Sequence, residues 1–189
     1  YHGTTVREPW FYGEEAVAIV KKYSDLRYQW APYLMELSVE ATQTGLPVMR
    51  HLAIEYPEDR IARQIDDQFL LGDSILVVPI LEEGQTERSV YLPKGEWYNI
   101  HNGKWYTGNS VINLAIELQD IPIFVKKGAV IPSFKKAPQH LKDYQLTDIE
   151  LVSYGKAMDK AGWLVKANSE VINYQIKDGK LIGGEMEQR

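Results

Sequence analysis

The sequence contains no cysteine, which excludes a disulfide framework and a thiolate metal site. It has no apolar run near the roughly 18 residues that a membrane-spanning helix requires, and no basic-then-apolar leader follows its first residue. Basic residues are also few: 21 lysines and arginines stand against 26 acidic residues, which disfavours phosphate binding. These absences predict a cytoplasmic protein with no membrane partner and no nucleic-acid partner.

What remains is the composition of an ordinary globular chain. Its 189 residues are 44% hydrophobic and 25% charged, which suits one domain, or one domain and a fragment of another. The sequence opens on Tyr1-His2-Gly3, in the middle of a motif and without a methionine. That opening predicts a truncated piece of a longer chain.

The segment from Glu14 to Thr44 has helical periodicity. Its apolar residues recur at steps of three and four: Ile19, Tyr23, Leu26, Trp30, Leu34, Leu37 and Ala41. Pro32 lies inside this pattern. Because proline removes a hydrogen bond and clashes with the preceding turn, we expect a kink or two abutting helices there. Gly45 and Pro47 predict the end of the helical segment.

From Ser74 onward the sequence changes to short runs of valine, isoleucine and aromatic residues. These runs predict strands at 74–80, 89–92, 96–100, 111–117 and 121–125. Asn102-Gly103 separates Trp97-Tyr98 from Trp105-Tyr106 and predicts a hairpin with a type I′ turn, in which both central residues have positive φ. Many short strands at this spacing predict an antiparallel sandwich.

A lysine-rich break at 133–142 separates this region from a third one. Beyond the break, the runs 148–154, 163–167, 170–177 and 180–182 predict further strands. Asp178-Gly179 lies between the last two runs and predicts a second tight hairpin. The chain is therefore expected to hold a helical part, a sandwich and a smaller β-module.

Four motifs occur in a fixed order along the first two thirds of the chain. They are 2–15, with His-Gly, Pro-Trp and Glu-Glu pairs; 47–80, with Pro-x-Met-Arg, Glu-x-Pro-x-Asp and Asp-x-Gln-Phe-x-Leu-Gly; 92–98, Leu-Pro-x-Gly-x-Trp-Tyr; and 121–132, Ile-Pro-x-Phe-Val followed by Gly-Ala. In this order they resemble the late part of the retaining α-glycosidases of glycoside hydrolase family 31. The resemblance fades from Pro138 onward, where the family's acidic turn has no counterpart.

The resemblance implies an α+β fold: a helical remnant of the end of a (β/α)8 barrel, an antiparallel β-sandwich and part of a distal β-module. We expect the barrel remnant at 1–65, the proximal sandwich at 66–134 and the partial or divergent distal module at 135–189. It also implies a parent enzyme that hydrolyses terminal α-linked glucose or xylose without a metal or organic cofactor. The expected partners are an oligosaccharide or small glycoside substrate and the rest of the barrel.

Retaining glycosidases need two carboxyl groups about 5–5.5 Å apart. The sequence offers no convincing pair, because adjacent Asp66 and Asp67 would point to opposite faces of an extended segment. A helix cap or an ion pair with Arg50 or Arg63 is their expected role. The resemblance implies that both catalytic groups belong to earlier barrel strands, so no catalytic residue is expected in this chain. It carries over one substrate-binding residue, His2, which is expected to donate a hydrogen bond to the sugar.

The other acidic and histidine residues are assigned to structure. Glu14 and Glu15 are first-turn acids that the helix dipole favours, and Asp59 is expected in a turn. His51 belongs to the junction motif and is expected to be structural. The histidines show no metal-ligand spacing.

Two other roles remain open for the chain. In the first, Trp97, Tyr98, Trp105 and Tyr106 form a carbohydrate-binding surface, since aromatic faces stack on sugars. Cross-strand packing within the hairpin is the simpler expectation for these residues. In the second, the chain is a purely structural domain that braces a barrel. Its helical stripe would then leave a large exposed apolar patch where the barrel is missing.

Overall fold

The computed structural model describes residues 5–182, and His2 lies outside them. The helices are α1 Glu14–Gln29, α2 Ala31–Thr44 and α3 Leu52–Glu55. The strands are β1 Met49–Arg50, β2 Phe69–Leu71, β3 Ile75–Val77, β4 Glu87–Leu92, β5 Glu96–Asn99, β6 Trp105–Thr107, β7 Ser110–Ala115, β8 Ile123–Lys126, β9 Val130–Phe134, β10 Ile149–Ser153, β11 Lys160–Val165, β12 Val171–Lys177 and β13 Lys180–Ile182. Within 5–182 no helix has the length and apolar character needed to cross a membrane.

The predicted break in the helical segment is present as two abutting helices. Pro32 lies in the first turn of α2, where its missing N–H removes no helical hydrogen bond. The helix ends at Gly45, whose φ of 78° is the left-handed conformation that glycine adopts readily. The two helices differ in packing. Helix α2 buries five residues, including Tyr33 and Leu37, whereas none of the residues of α1 is buried.

The central layer is a six-stranded sheet in the order β1-β2-β3-β8-β5-β6, with every neighbouring pair antiparallel. Successive side chains in a strand point to opposite faces, so the middle strands β3 and β8 contribute to two cores. Leu76 and Phe124 belong to the core on one face. Ile75, Ile123 and Val125 belong to the core on the other face. Both faces of the sheet are therefore covered at its middle strands.

The first face packs against the antiparallel pair β4–β7, and these two sheets are termed the proximal sheets. Val90, Tyr91 and Leu92 of β4 are buried in the core between them. Trp97 is fully buried there, and its indole Nε1 donates a hydrogen bond to the Pro93 carbonyl at 2.8 Å. The second face of the six-stranded sheet packs against the helices.

A third core joins α2 to the last part of the chain. There β9 pairs with β10, and β11, β12 and β13 form a three-stranded sheet, termed the distal sheet. The buried members of this core are Ala31, Val130, Phe134, Tyr144, Ile149, Leu164, Tyr174 and Ile176. Helix α2 thus packs against the central sheet on one side and the distal sheet on the other.

Two sequence-based expectations are corrected by the structure. The Asn102-Gly103 hairpin is not a type I′ turn, because only Gly103 has positive φ and the strands are joined by a longer loop, 100–104. The buried Asn99 side chain explains the loop, since its Oδ1 accepts from the His101 backbone N–H at 2.9 Å and orders a wider turn. The lysine-rich break also begins later than predicted, because β9 continues to Phe134.

The second predicted hairpin has the expected geometry. Asp178 and Gly179 have φ values of 53° and 75°, and they connect paired residues Lys177 and Lys180. Positive φ at both central residues is the requirement of a type I′ turn. The two hairpins differ because no buried side chain widens this turn in the way that Asn99 widens the first one.

Candidate functional site

The segment before α1 presents a run of exposed aromatic side chains. A short 3-10 helix spans Pro9–Tyr12, and Trp10, Phe11 and Tyr12 are 64%, 64% and 66% exposed. The Trp10 and Phe11 ring centroids lie 6.4 Å apart. This segment follows the motif in which the resemblance assigns a sugar contact to His2, which lies outside the described residues.

Arg50 is the centre of a buried clamp in the second motif. Its side chain is 2% exposed, and its Nε donates to the Pro47 carbonyl at 2.8 Å. Its two terminal nitrogens donate to Glu55 and Glu40, each at 2.6 Å. Burial opposes the charge of Arg50, but the hydrogen bonds to Glu55 and Glu40 raise its pKa above the ordinary value. These charged residues therefore tie α2, β1 and α3 together and are not free for proton transfer.

A surface pocket of about 600 Å³ lies beside this clamp. Its lining residues are Glu55, Tyr56, Pro57, Glu58, Asp59, Arg60, Ile61, Lys94 and Asn109. The most constrained carboxylate in it is Asp59. Its Oδ1 accepts from the backbone N–H groups of Ile61 and Ala62 at 2.9 and 3.1 Å, and its Oδ2 accepts from the Tyr91 hydroxyl.

The hydrogen bonds of Asp59 favour its ionised form. Partial burial opposes the charge, but the hydrogen bond from Tyr91 and those from the two backbone N–H groups lower the pKa of Asp59. Burial and the same contact raise the pKa of Tyr91 to about 12. Asp59 is therefore a turn residue, as predicted, whose carboxylate anchors the loop to β4.

Of the adjacent acids Asp66 and Asp67, Asp67 is held in an ion pair with Arg88. Asp67 Oδ2 lies 2.7 Å from Arg88, whose side chain also donates to the Asp67 carbonyl at 2.9 Å. The predicted partners, Arg50 and Arg63, are therefore wrong for Asp67. Arg50 is unsuited to that role because Glu40 and Glu55 already occupy its guanidinium.

A buried polar network that the sequence did not reveal joins α2 to the distal sheet. Glu36 is 3% exposed, and its Oε1 accepts from the Tyr174 hydroxyl at 3.0 Å. Lys160 Nζ lies 3.0 Å from the same carboxylate oxygen. Gly162 leaves the space for this network, because a Cβ there would lie 2.2 Å from Glu36 Oε1. Burial raises the pKa of Glu36, although Lys160 opposes that shift.

This network was missed for a physical reason. The partners of Glu36 are 124 and 138 residues away, and no short-range pattern connects them. One weak signal was present: Glu36 follows Tyr33 by three residues on the stripe that α2 buries. A charged residue on a buried helical stripe predicts a buried partner elsewhere in the chain.

Two of the described histidines, His51 and His101, have local contacts. His51 caps α3, since its Nδ1 accepts from the Ala53 N–H at 3.0 Å, which gives it the expected structural role. His101 Nε2 lies 2.8 Å from the Ile121 carbonyl, and burial lowers the pKa of His101. Among residues 5–182 no group of three or more histidine, aspartate or glutamate side chains could hold a metal ion.

The four hairpin aromatics divide into two kinds. Trp97 is fully buried, and Tyr106 packs edge-on against Phe124 with centroids 5.8 Å apart. Trp105 is 42% exposed and contacts Tyr98 at a centroid distance of 5.2 Å. The expected cross-strand packing is present between Tyr98 and Trp105, which face each other across the hairpin. Trp105 also keeps a solvent-accessible surface.

Comparisons with known proteins agree with the motif order. Residues 45–131 match the family model described as the glycosyl hydrolase family 31 C-terminal domain. Alpha-glucosidase 2 of Bacillus thermoamyloliquefaciens is 38% identical over 153 residues, which cover 80% of this chain and 19% of that protein. An alpha-xylosidase of Saccharolobus solfataricus is 29% identical over 181 residues, covering 95% of this chain and 24% of that protein.

A solved structure is similar over almost the whole chain. A family 31 dextranase of Flavobacterium johnsoniae, complexed with isomaltotriose, superposes with a TM-score of 0.76 and 35% sequence identity. The match covers 94% of this chain and 21% of that protein. The chain thus spans about a fifth of the length of these relatives, 19% of the alpha-glucosidase and 21% of the dextranase.

Proposed function

Because this chain belongs to glycosyl hydrolase family 31 through its C-terminal domain at residues 45–131, we propose that it is the C-terminal part of a retaining α-glycosidase. The whole enzyme hydrolyses terminal α-linked glucose or xylose through a covalent glycosyl-enzyme intermediate. This chain supplies structure to that enzyme and does not catalyse the reaction by itself. Both catalytic carboxylates come from the preceding barrel.

The observation that carries the proposal is the extent of the matches. Similarity to a dextranase runs over 94% of this chain but only 21% of that enzyme. The carboxylates of the junction motifs support a structural role, since Glu55 and Asp67 pair with arginines and Asp59 caps a turn. None of these three is available to act as nucleophile or general acid.

We assign residues 1–65 to the end of a (β/α)8 barrel, 66–134 to a proximal β-sandwich and 135–189 to a partial distal β-module. The unburied helix α1 supports the barrel assignment, as do exposed Trp10, Phe11 and Met49. An apolar surface of this kind fits a helix whose barrel partners are missing. The remainder of the barrel is then the partner of this surface. The absence of cysteine supports a cytoplasmic location.

His2 is proposed to bind substrate in the whole enzyme. In this proposal it donates a hydrogen bond to a hydroxyl of the sugar at the cleaved position, from a loop at the C-terminal face of a barrel strand. Gly3 follows it and allows the substrate to approach the backbone closely. A hydrogen bond that strengthens as the oxocarbenium-like state forms lowers the barrier selectively.

The experiment that tests the function uses the full-length enzyme with aryl α-glucoside and aryl α-xyloside. We expect hydrolysis of at least one of them with retention of anomeric configuration, followed by NMR. His2→Ala is expected to lower kcat on the order of a hundredfold, with a smaller change in KM. His140→Ala, a change at an exposed histidine, is the matched control and should leave kcat/KM unchanged.

Each part of the proposal is contradicted by a different result. Inversion of configuration, or no hydrolysis of either glycoside, contradicts the assignment to a retaining α-glycosidase. Parental kcat/KM in a folded His2→Ala enzyme contradicts the sugar contact alone. Thermal unfolding of both histidine variants checks that any lost activity reflects the site and not the fold.

A further inference from the structure

One edge of the six-stranded sheet carries a partly exposed aromatic surface. Trp105 lies on the edge strand β6 directly opposite Tyr98 of β5, and their ring centroids are 5.2 Å apart. Tyr98 in turn contacts Tyr154 at 5.6 Å. Both tyrosines are half-buried, while Trp105 is 42% exposed. The tyrosines therefore hold in place an indole ring that a ligand in solution can reach.

The neighbouring aromatics show that this exposure is specific to Trp105. Tyr106, the next residue, points to the opposite face and packs against Phe124, and its hydroxyl accepts from Asn102 Nδ2 at 2.9 Å. Trp97 is fully buried on that same face. Two aromatic residues of the hairpin, Trp97 and Tyr106, thus pack in the core, and a third, Trp105, lies partly exposed on the edge strand β6.

A charged pair borders the indole. Lys127 and Glu96 form an ion pair, and Lys127 Nζ lies 5.8 Å from the Trp105 ring centroid. Both charged side chains are half-exposed, at 49% and 48%, so each keeps hydrogen-bonding capacity toward solvent. The surface formed by Glu96, Tyr98, Trp105, Lys127 and Tyr154 is termed the Trp105 platform. It combines an aromatic face with an adjacent donor and an adjacent acceptor.

This combination matches the chemistry of a sugar ring. The C–H face of a pyranose packs on an aromatic ring, and its neighbouring hydroxyls pair with a cation and a carboxylate at the rim. An apolar peptide or a lipid chain would instead desolvate the ion pair of Lys127 and Glu96, which is costly. The net charge of −5 disfavours a polyanion.

We propose that the Trp105 platform binds α-linked glucose oligosaccharides. The sugar class rests on the proposed function, because an enzyme that acts on α-linked glucose meets such chains as substrate. One sugar ring stacks on Trp105, and the ammonium of Lys127 and the carboxylate of Glu96 bind its hydroxyls. Bound there, a long α-glucan is held by the same protein that cleaves its end.

The test is affinity electrophoresis of the chain in gels that contain dextran or soluble starch, with a β-linked cellulose derivative as the comparison polymer. We expect the parental chain to be retarded by at least one α-glucan and not by the β-glucan. Trp105→Ala should weaken the affinity on the order of tenfold or more, and Trp105→Phe should weaken it less. Trp10→Ala removes a more exposed indole elsewhere in the chain and should leave the retardation unchanged.

Three results overturn the platform: no retardation of the parental chain by either α-glucan, parental retardation of Trp105→Ala, or equal loss in Trp10→Ala. If Trp105→Ala does not fold, Trp105→Phe and Lys127→Met decide, since both keep the bulk of the side chain. In that case parental affinity of both variants contradicts the proposal. Retention of configuration by the full-length enzyme is measured separately, so failure of the platform leaves the assigned activity standing.

Discussion

The proximal sheets and the distal sheet are held in the molecule by different interactions. The proximal sheets enclose an apolar core around Trp97 and Phe124, and their motifs are legible in the sequence. The distal sheet meets α2 through an apolar core and also through the buried Glu36 and Tyr174, with the partly exposed Lys160 beside them. Apolar packing tolerates small rearrangements, whereas a buried charge must keep its partners. We therefore expect the two regions to respond differently to substitution and to pH.

The largest effect is expected at Trp97. Trp97→Ala empties the centre of the proximal core and removes the hydrogen bond to the Pro93 carbonyl, so it should destabilise the chain by about 3–5 kcal/mol. Thermal and urea unfolding, monitored by circular dichroism, measure the loss. Trp105→Ala, in the same hairpin but exposed, is the matched control and should cost far less. A Trp97→Ala chain that melts like the parent would refute the packing role.

The next effect is expected at Glu36. Glu36→Ala leaves Tyr174 without its acceptor and Lys160 without its counter-charge, at a cost of about 1–3 kcal/mol, because Lys160 is partly exposed and can turn to water. The loss should be local. Hydrogen exchange should speed up in β11 and β12 and stay parental in β3 and β8.

Glu150→Ala, at an exposed glutamate of β10, is the control for the Glu36 experiment. It should leave exchange unchanged in all four strands. Uniform acceleration across β3, β8, β11 and β12 in Glu36→Ala would mean that the network supports the whole chain. The contrast between the proximal sheets and the distal sheet would then be incorrect.

The smallest effects are expected in the pH dependence of stability. The contributions of Glu36 and Asp59 to the free energy of unfolding should change with pH in opposite directions. Burial raises the pKa of Glu36 above its ordinary value of 4.5, so its contribution to stability falls as pH rises from 4.5 through the folded-state pKa. Hydrogen bonding lowers the pKa of Asp59 below 3.8, so its contribution is present above 3.8 and is lost as pH falls through the folded-state pKa.

Urea unfolding at several pH values measures these two dependences. As pH rises, the free energy of unfolding of the parent should fall relative to that of Glu36→Gln. In the more acidic range that concerns Asp59, the free energy of unfolding of the parent should rise with pH relative to that of Asp59→Asn. Slopes of the same sign would show that one of the two environments is wrongly described.

Local features of the fold were predictable from the sequence, and long-range ones were not. The helix break at Pro32, the αL residue Gly45 and the Asp178-Gly179 hairpin all follow from backbone preferences of single residues. The predicted type I′ turn of the first hairpin is wrong, because the buried Asn99 side chain widens the loop. Turn chemistry of that kind depends on burial, which a local pattern does not contain.

The contacts of the candidate site were also only partly predictable from the sequence. The Arg50 partners Glu40 and Glu55 lie within ten residues along the chain, yet the sequence suggested Asp66 or Asp67 in their place. Proximity in sequence does not reveal which carboxylate a buried guanidinium meets. The exposure of Trp105 was equally hidden, because alternation in the hairpin predicts two faces but not which face the rest of the fold covers.

The most direct test of the account is hydrolysis of aryl α-glucoside and aryl α-xyloside by this chain alone. We expect no turnover, because Glu55, Asp59 and Asp67 of the junction motifs are held in structural contacts and we assign the catalytic pair to the rest of the enzyme. The full-length enzyme, assayed in parallel, should hydrolyse at least one of the two substrates. Turnover by the chain that survives repurification and disappears in Asp67→Asn would contradict the account, since it would place a catalytic carboxylate within this chain.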